Sequence, residues 1–132
     1  IIGKPVINPD IIPPLFEVLK LHFAPQQQNQ LKELLTNGVT SGKLHFRSNG
    51  NRLADAFKQL IKADLITNCT QKELESWIAQ YFTYTNSKTK QVNEFGLKYL
   101  NDIISTDKDK CQTPLLSIKF NKDTLKAQVI KA

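Results

Sequence analysis

Four side chains of this 132-residue chain have the chemistry of metal ligands or activated nucleophiles: Cys69, Cys111, His22 and His45. Structural zinc sites take their ligands in closely spaced pairs, and no such pair occurs here. A nucleophilic cysteine needs an exposed thiol beside a base. Cys69 directly precedes a predicted helix cap, and Cys111 has no base near it in the sequence. The sequence therefore predicts no metal ion, no catalytic cysteine and two free thiols.

Phosphate binding and acid–base catalysis also lack the residue patterns that they need. A phosphate loop requires glycines clustered at the start of a helix, whereas the five glycines of this chain are scattered. Acidic residues occur singly, where solvent and ion pairs along a helix account for them. The sequence predicts no catalytic residue, no cofactor and no enzymatic activity. The glycines are Gly3, Gly38, Gly42, Gly50 and Gly96.

The charge balance is basic, with a formal net charge of +6. Acidic partners are therefore expected, and nucleic acid is one of them. Only Arg47 and Arg52 among the 18 basic residues carry the guanidinium group that most often reads guanine. Lysines supply affinity for phosphate with little sequence readout. A solvated, lysine-rich surface is the alternative explanation of the charge.

Hydrophobic periodicity predicts mainly helical secondary structure. Apolar residues recur at helical spacing in five segments, and they alternate with polar residues in two short ones. Residues 83–92 are polar and predict an exposed loop or a short hairpin, and residues 125–130 predict a fraying helix or tail. The predicted helices span 12–23, 25–38, 51–64, 70–82 and 93–105, and the predicted strands span 43–47 and 115–120.

The most specific local signal is a capping box at the start of the fourth helix. The hydroxyl of Thr70 can accept the amide of Glu73, while the Glu73 carboxylate reaches back to the Thr70 amide. Cys69 precedes the cap and can pack on Leu74 as a hydrophobic staple. A structural position is therefore predicted for Cys69.

These elements predict a mainly α fold: a single compact bundle of about five helices with one or two short strands. The consecutive helices 51–64, 70–82 and 93–105 predict a helix-turn-helix or winged-helix-like core. One domain over residues 1–132 is expected, as part of a longer chain, because the sequence begins with Ile1 and contains no methionine. No apolar run approaches the roughly 18 residues of a membrane span, so we expect no membrane partner and a cytoplasmic location.

Nucleic-acid binding is the leading functional hypothesis for this arrangement. Helix 93–105 would be the recognition helix, presenting Lys98 and Asn101, and the preceding loop would bring Lys88 and Lys90 to the phosphates. Two acidic residues share the exposed face of that helix, which weighs against specific readout. The prediction is a non-catalytic binding module with a DNA-binding or regulatory role.

The alternative hypothesis is a protein–protein interaction domain with no nucleic-acid role. Tyr81 and Tyr84 lie where the capped helix runs into the polar loop, and exposed tyrosines commonly anchor a protein partner. Packing of these rings in the core is the competing interpretation. The identity of the partner and the oligomeric state are left open.

Three runs carry a resemblance to uncharacterised proteins of gut Bacteroidetes: residues 50–60 (GNRLADAFKQL), 73–78 (ELESWI) and 98–105 (KYLNDIIS). This resemblance covers residues 43–116 and implies a fold boundary without an activity. The order of helix, capped helix and helix is also similar to that of RteC-like regulators associated with mobile elements. That similarity implies a regulatory role and carries over no base-contacting residue.

Overall fold

The computed structural model of the chain describes residues 4–105, 111–124 and 126–132. These residues form five α-helices and seven short strands, and the strands make three small sheets. The expected helical bundle with one or two strands is therefore wrong, because the fold mixes α and β structure. The helices are α1 (Ile12–Leu19), α2 (Gln28–Asn37), α3 (Gly50–Lys62), α4 (Gln71–Tyr81) and α5 (Leu97–Ile104). The strands are β1 (Val6–Ile7), β2 (Leu44–Phe46), β3 (Ile66–Thr67), β4 (Phe82–Thr85), β5 (Val92–Glu94), β6 (Leu116–Asn121) and β7 (Lys126–Lys131).

Most of the additional strands are too short to produce a hydrophobic alternation in the sequence. β1 and β3 contain two residues each and pair with one another. β4 begins at Phe82, directly after the last residue of α4, with no turn residue between them. β7 occupies the segment predicted as a fraying helix or tail, because pairing with β6 overrides its weak local preference.

The expected helix-turn-helix or winged-helix-like core fails at its third helix. Residues 93 and 94, predicted to open that helix, belong to β5 and pair antiparallel with β4. α5 starts only at Leu97, with Gly96 as its N-cap residue. On its other side β4 pairs in parallel with β2, and α3 and α4 form the crossover. The three helices are thus tied to a sheet with the order β2-β4-β5.

The core is built around aromatic rings at the junction of α3, α4 and β4. The ring of Phe57 lies edge-on to Trp77, with centroids 5.5 Å apart, and both rings contact Phe82 at 5.8 and 5.9 Å. Trp77 also donates its buried indole N–H to the carbonyl of Gly38 at 2.9 Å. Gly38 ends α2 with φ at +78°, a conformation that glycine adopts without strain. These contacts join α2, α3, α4 and the central strand.

The predicted capping box of α4 is confirmed. Thr70 accepts the Glu73 amide at 3.2 Å, and the Glu73 carboxylate accepts the Thr70 amide at 2.8 Å. Cys69 is half-buried against the core. Burial, with a smaller contribution from Glu73, raises the pKa of this thiol. Cys69 is therefore held in the less reactive thiol form.

The chain ends in a separate two-stranded hairpin formed by β6 and β7. Its turn is closed by Asn121, whose side chain accepts the amides of Asp123 and Thr124 at 2.9 and 3.3 Å. One face of the hairpin is apolar, because Ile118 is opposite Val129 and the next pair on the same face is Phe120 with Ala127. This face is buried near the base of the hairpin and exposed towards the turn. β6 lies against α3, and β7 lies against α1.

Candidate functional site

The four residues predicted to bind nucleic acid lie on two separate features. Lys88 and Lys90 are exposed in the turn between β4 and β5, where the Asn86 side chain accepts the Lys88 amide at 2.9 Å. The side chain of Lys98 is 93% exposed in the first turn of α5. The Asn101 amide group donates to the carboxylate of Glu75 on α4 at 3.2 Å. Among the described residues, no hydrogen bond or ion pair joins the turn lysines to the α5 pair.

The two tyrosines predicted to contact a protein partner have different environments. Tyr81 is only 9% exposed and packs against Trp77, which leaves little ring surface for a partner. Tyr84 is half-buried and stacks on Tyr99, with centroids 5.6 Å apart and planes inclined by 15°. Gly50 lies beneath this stack, where a Cβ atom would come within 2.9 Å of the Tyr84 ring. Tyr84 is therefore the more accessible of the two, although its ring is already packed.

The histidines occupy structural positions. His45 on β2 places its ring nitrogens 3.0 and 2.9 Å from the hydroxyl oxygens of Thr83 and Thr85 on β4. Burial, followed by the nearby charge of Arg47, lowers the pKa of His45. His22 packs against Phe46, and its pKa is lowered by burial and then by neighbouring cations. The part of the chain that the structure describes contains no group of three histidine, cysteine or acidic residues arranged to hold a metal ion.

A cavity of about 660 Å³ lies between α3 and β6. We call it the α3–β6 groove. The helix contributes residues 55, 58, 59 and 62, whose spacing places them on one face. The opposite wall combines Leu116 and Ile118 with the loop residue Pro114. One wall is thus polar and helical, and the other is largely apolar and runs along a strand.

A hydrogen-bonded glutamine connects the two walls of the groove. The side-chain amide of Gln59 donates to the Asp55 carboxylate at 2.9 Å and to the main-chain carbonyl of Leu116 at 3.1 Å. Asp55 is only 8% exposed, so this contact satisfies a buried carboxylate. The arrangement is suited to binding through shape and hydrogen bonds.

Sequence reasoning missed this groove because its walls are distant in the chain. Asp55 and Gln59 are four residues apart, and that spacing indicates that their side chains share a helix face. The alternation of Leu116, Ile118 and Phe120 indicates an apolar strand face. Neither signal indicates that the strand lies against α3. The long-range hydrogen bond from Gln59 to the Leu116 carbonyl joins the two elements in the folded chain.

Comparison with protein families, curated proteins and solved structures found no match. The resemblances to Bacteroidetes proteins and to RteC-like regulators therefore stay predictions. None of the helices in the described ranges has the length and apolar composition needed to cross a bilayer. Both cysteines are free thiols, and Cys111 is one of the residues that line the groove.

Proposed function

We propose that this chain is a non-catalytic binding module that holds a segment of another protein in the α3–β6 groove. The observation that carries this proposal is the composition of the groove walls. Apolar side chains of β6 face a helix whose polar groups are already positioned by hydrogen bonds. Protein-recognition surfaces combine apolar area with a few fixed polar groups in this way.

Exposed apolar side chains near the groove support a protein ligand. Phe120, on the same strand face as Ile118, is 66% exposed. An exposed aromatic ring next to a groove is a common anchor in protein interfaces.

A second candidate function is nucleic-acid binding, and the charge distribution favours it. The formal net charge is +6, and exposed lysines occupy both hairpin turns, at Lys88 and Lys90 in one and at Lys122 in the other. Such lysines would give salt-dependent affinity for phosphates without base readout. This interpretation keeps the original site prediction, in which Lys98 and Asn101 supplement the turn lysines.

The protein-binding proposal is tested by selecting displayed random linear peptides on the wild-type domain. The enriched peptides are then measured against Ala63→Trp, which places a large ring in the groove, and against Thr36→Trp, a matched change on the exposed side of α2. We expect Ala63→Trp to abolish binding and Thr36→Trp to preserve it. Failure to enrich any peptide, or equal binding by both variants, would contradict the proposal.

The nucleic-acid alternative is tested by fluorescence anisotropy with random-sequence duplex DNA between about 50 and 200 mM salt. If it holds, binding weakens steeply with salt, and the double variant Lys88→Glu, Lys90→Glu binds less tightly with a shallower salt dependence. No binding at the lowest salt would remove DNA as a ligand. Unchanged affinity of the double variant would remove this turn from the interface.

A further inference from the structure

We propose that the segment bound in the α3–β6 groove is an extended acidic peptide that pairs with the free edge of β6 as an additional strand. This inference rests on the proposed function and names the chemistry of the ligand. It is carried by the hydrogen-bonding register of β6, by the position of that strand along the groove and by the charge of the hairpin.

The register of the hairpin decides which main-chain groups of β6 point away from β7. The amide of Ala132 donates to the carbonyl of Leu115 at 3.2 Å, so the next opposed pair, Leu116 with Lys131, does not exchange hydrogen bonds. Alternation along an antiparallel ladder then turns the N–H and C=O groups of Leu116, Ile118 and Phe120 outwards. The hydrogen bond from Gln59 to the Leu116 carbonyl agrees with this orientation.

Two consecutive outward positions on this edge are open to a partner. Gln59 already uses the carbonyl of Leu116, but no hydrogen bond among the described residues uses the outward groups of Ile118 or Phe120. These two residues offer two donors and two acceptors in the pattern that a neighbouring strand requires. Gln59 thereby marks the inner end of the available edge.

The groove provides space for the side chains of an added strand. Leu116, Ser117 and Ile118 of β6 line the cavity, and the α3 face with Asp55 and Gln59 forms the other wall. Alternate side chains of an added strand would point to opposite faces of the enlarged sheet. Those on the apolar face would contact Ile118 and the exposed ring of Phe120.

The charge of the hairpin selects an acidic peptide among possible occupants. The described hairpin residues include one acidic residue, Asp123, and four lysines. Pairing β6 with the same strand of a second copy would bring two lysine-rich hairpins together, which is unfavourable. A nucleic acid would match the charge but not the alternating main-chain donors and acceptors of the edge. The lysines are Lys119, Lys122, Lys126 and Lys131.

The first experiment uses short synthetic peptides in which glutamate alternates with valine, added to the isotope-labelled domain and followed by NMR. We expect the amide signals of Ile118 and Phe120 to shift and both amides to gain protection from hydrogen exchange. Peptides with lysine in place of glutamate should bind more weakly by about tenfold, because charge attraction is replaced by repulsion. No binding, or equal affinity of both peptide series, would overturn the proposal.

The second experiment separates main-chain pairing from side-chain contact at one position. Phe120→Pro removes the outward N–H group, whereas the matched variant Phe120→Leu keeps it and an apolar side chain. We expect Phe120→Pro to bind about tenfold less tightly than Phe120→Leu, because one hydrogen bond and the fit of the strand are lost. Equal affinity of the two variants would exclude strand addition. Unchanged Trp77 fluorescence in both would verify that the core is intact.

The two proposals can fail separately. If selected peptides depend on the groove but bind Phe120→Pro and Phe120→Leu equally, protein binding stands and strand addition falls. If no peptide distinguishes Ala63→Trp from Thr36→Trp, both proposals fall. If duplex DNA shifts the Ile118 and Phe120 amides and the acidic peptides do not, the edge binds nucleic acid and the proposal is overturned.

Discussion

The two antiparallel hairpins β4–β5 and β6–β7 differ in how they are attached to the rest of the protein. In the first, β4 is a central strand with β2 on its other side, and Phe82 packs between Phe57 and Trp77. In the second, β6 and β7 pair only with each other, and Leu116 and Val129 supply the buried contacts within the strands. The first hairpin is therefore part of the core, whereas the second is attached to it along one face.

The free edges of the two hairpins differ as well. The outer strand β5 has three residues, and Glu94 at its end forms an ion pair with Lys43 at 2.8 Å. The hydrogen bond from Lys43 lowers the pKa of Glu94, which keeps the carboxylate charged. Charged, short edges resist the addition of another strand. β6 is six residues long, and its outward positions carry apolar side chains, so it is the edge that can accept one.

Removing the buried aromatic ring at the start of the first hairpin should have the largest effect on stability. Phe82→Ala deletes a fully buried side chain, and we expect a loss of about 3–5 kcal/mol in the free energy of unfolding. Phe120→Ala, at the exposed end of the second hairpin, should change it by less than about 0.5 kcal/mol. Urea denaturation followed by Trp77 fluorescence measures both. Similar losses in the two variants would show that the hairpins are equally integrated.

Weakening the attachment of the second hairpin should have a smaller and more local effect. Val129→Ala removes two methyl groups from a buried side chain and should lower the free energy of unfolding by about 2 kcal/mol. Because the hairpin is attached along one face, we expect faster hydrogen exchange in β6 and β7 and unchanged exchange in β4. An equal rise in exchange throughout the domain would mean that the two hairpins unfold as one unit.

The N-terminal cap of α4 tests the stability of the helix that leads directly into the first hairpin. Thr70→Ala removes the hydroxyl that accepts the Glu73 amide and should lower the free energy of unfolding by about 1 kcal/mol. Thr70→Ser keeps the hydroxyl and should restore most of that loss. Thermal unfolding of both variants provides the comparison. A Thr70→Ala variant as stable as Thr70→Ser would show that the capping hydrogen bond does not contribute to α4.

Mild acid should produce the smallest effect, through the two histidines. In the folded protein, His22 and His45 both have pKa values below the value that histidine has in the unfolded chain. At a pH between the folded and the unfolded pKa, the unfolded chain therefore binds more protons than the folded protein. The stability from the neutral rings is present above about pH 6.5 and is lost as the pH falls through the lowered pKa values. For His22 the cations that oppose protonation are Arg52, Lys131 and Arg47, in order of decreasing effect.

Substitutions at the histidines assign this pH dependence to one region. His22 faces Lys131 of the second hairpin, whereas His45 lies within the first sheet between two threonines. His22→Gln and His45→Gln should each flatten the fall in midpoint denaturant concentration between about pH 7 and pH 5. An unchanged pH dependence in the double variant would show that other groups are responsible.

The sequence predicted the elements whose signals are local. The Thr70–Glu73 capping box and the helical spacing around Phe57 depend on residues within a few positions of each other, and both correspond to observed structure. β2 and β6 were also predicted, because their apolar residues alternate over three or more positions. Short-range patterns of this kind are reliable because the residues that stabilise the element are the same residues that form the pattern.

The errors arose where distant pairing decides the structure. Residues 93 and 94 continue a plausible helical pattern, and they become a strand because β4 is available beside them. Residues 126–131 contain both helix and strand formers, and the six opposed pairs with β6 fix them as β7. The candidate groove depends on the same kind of information, since Gln59 and Leu116 meet across 57 positions. No pattern among neighbouring residues in the sequence indicates these contacts.

The parallel pairing of β2 with β4 has a consequence for how the chain folds. Leu44 is opposite Phe82, and the 35 residues 47–81, which include α3 and α4, lie between the end of β2 and the start of β4. Closing such a long connection costs chain entropy before any contact repays it, whereas β4 and β5 are joined by a short turn. We therefore expect the helices and the β4–β5 turn to form early and the docking of β2 to limit the folding rate.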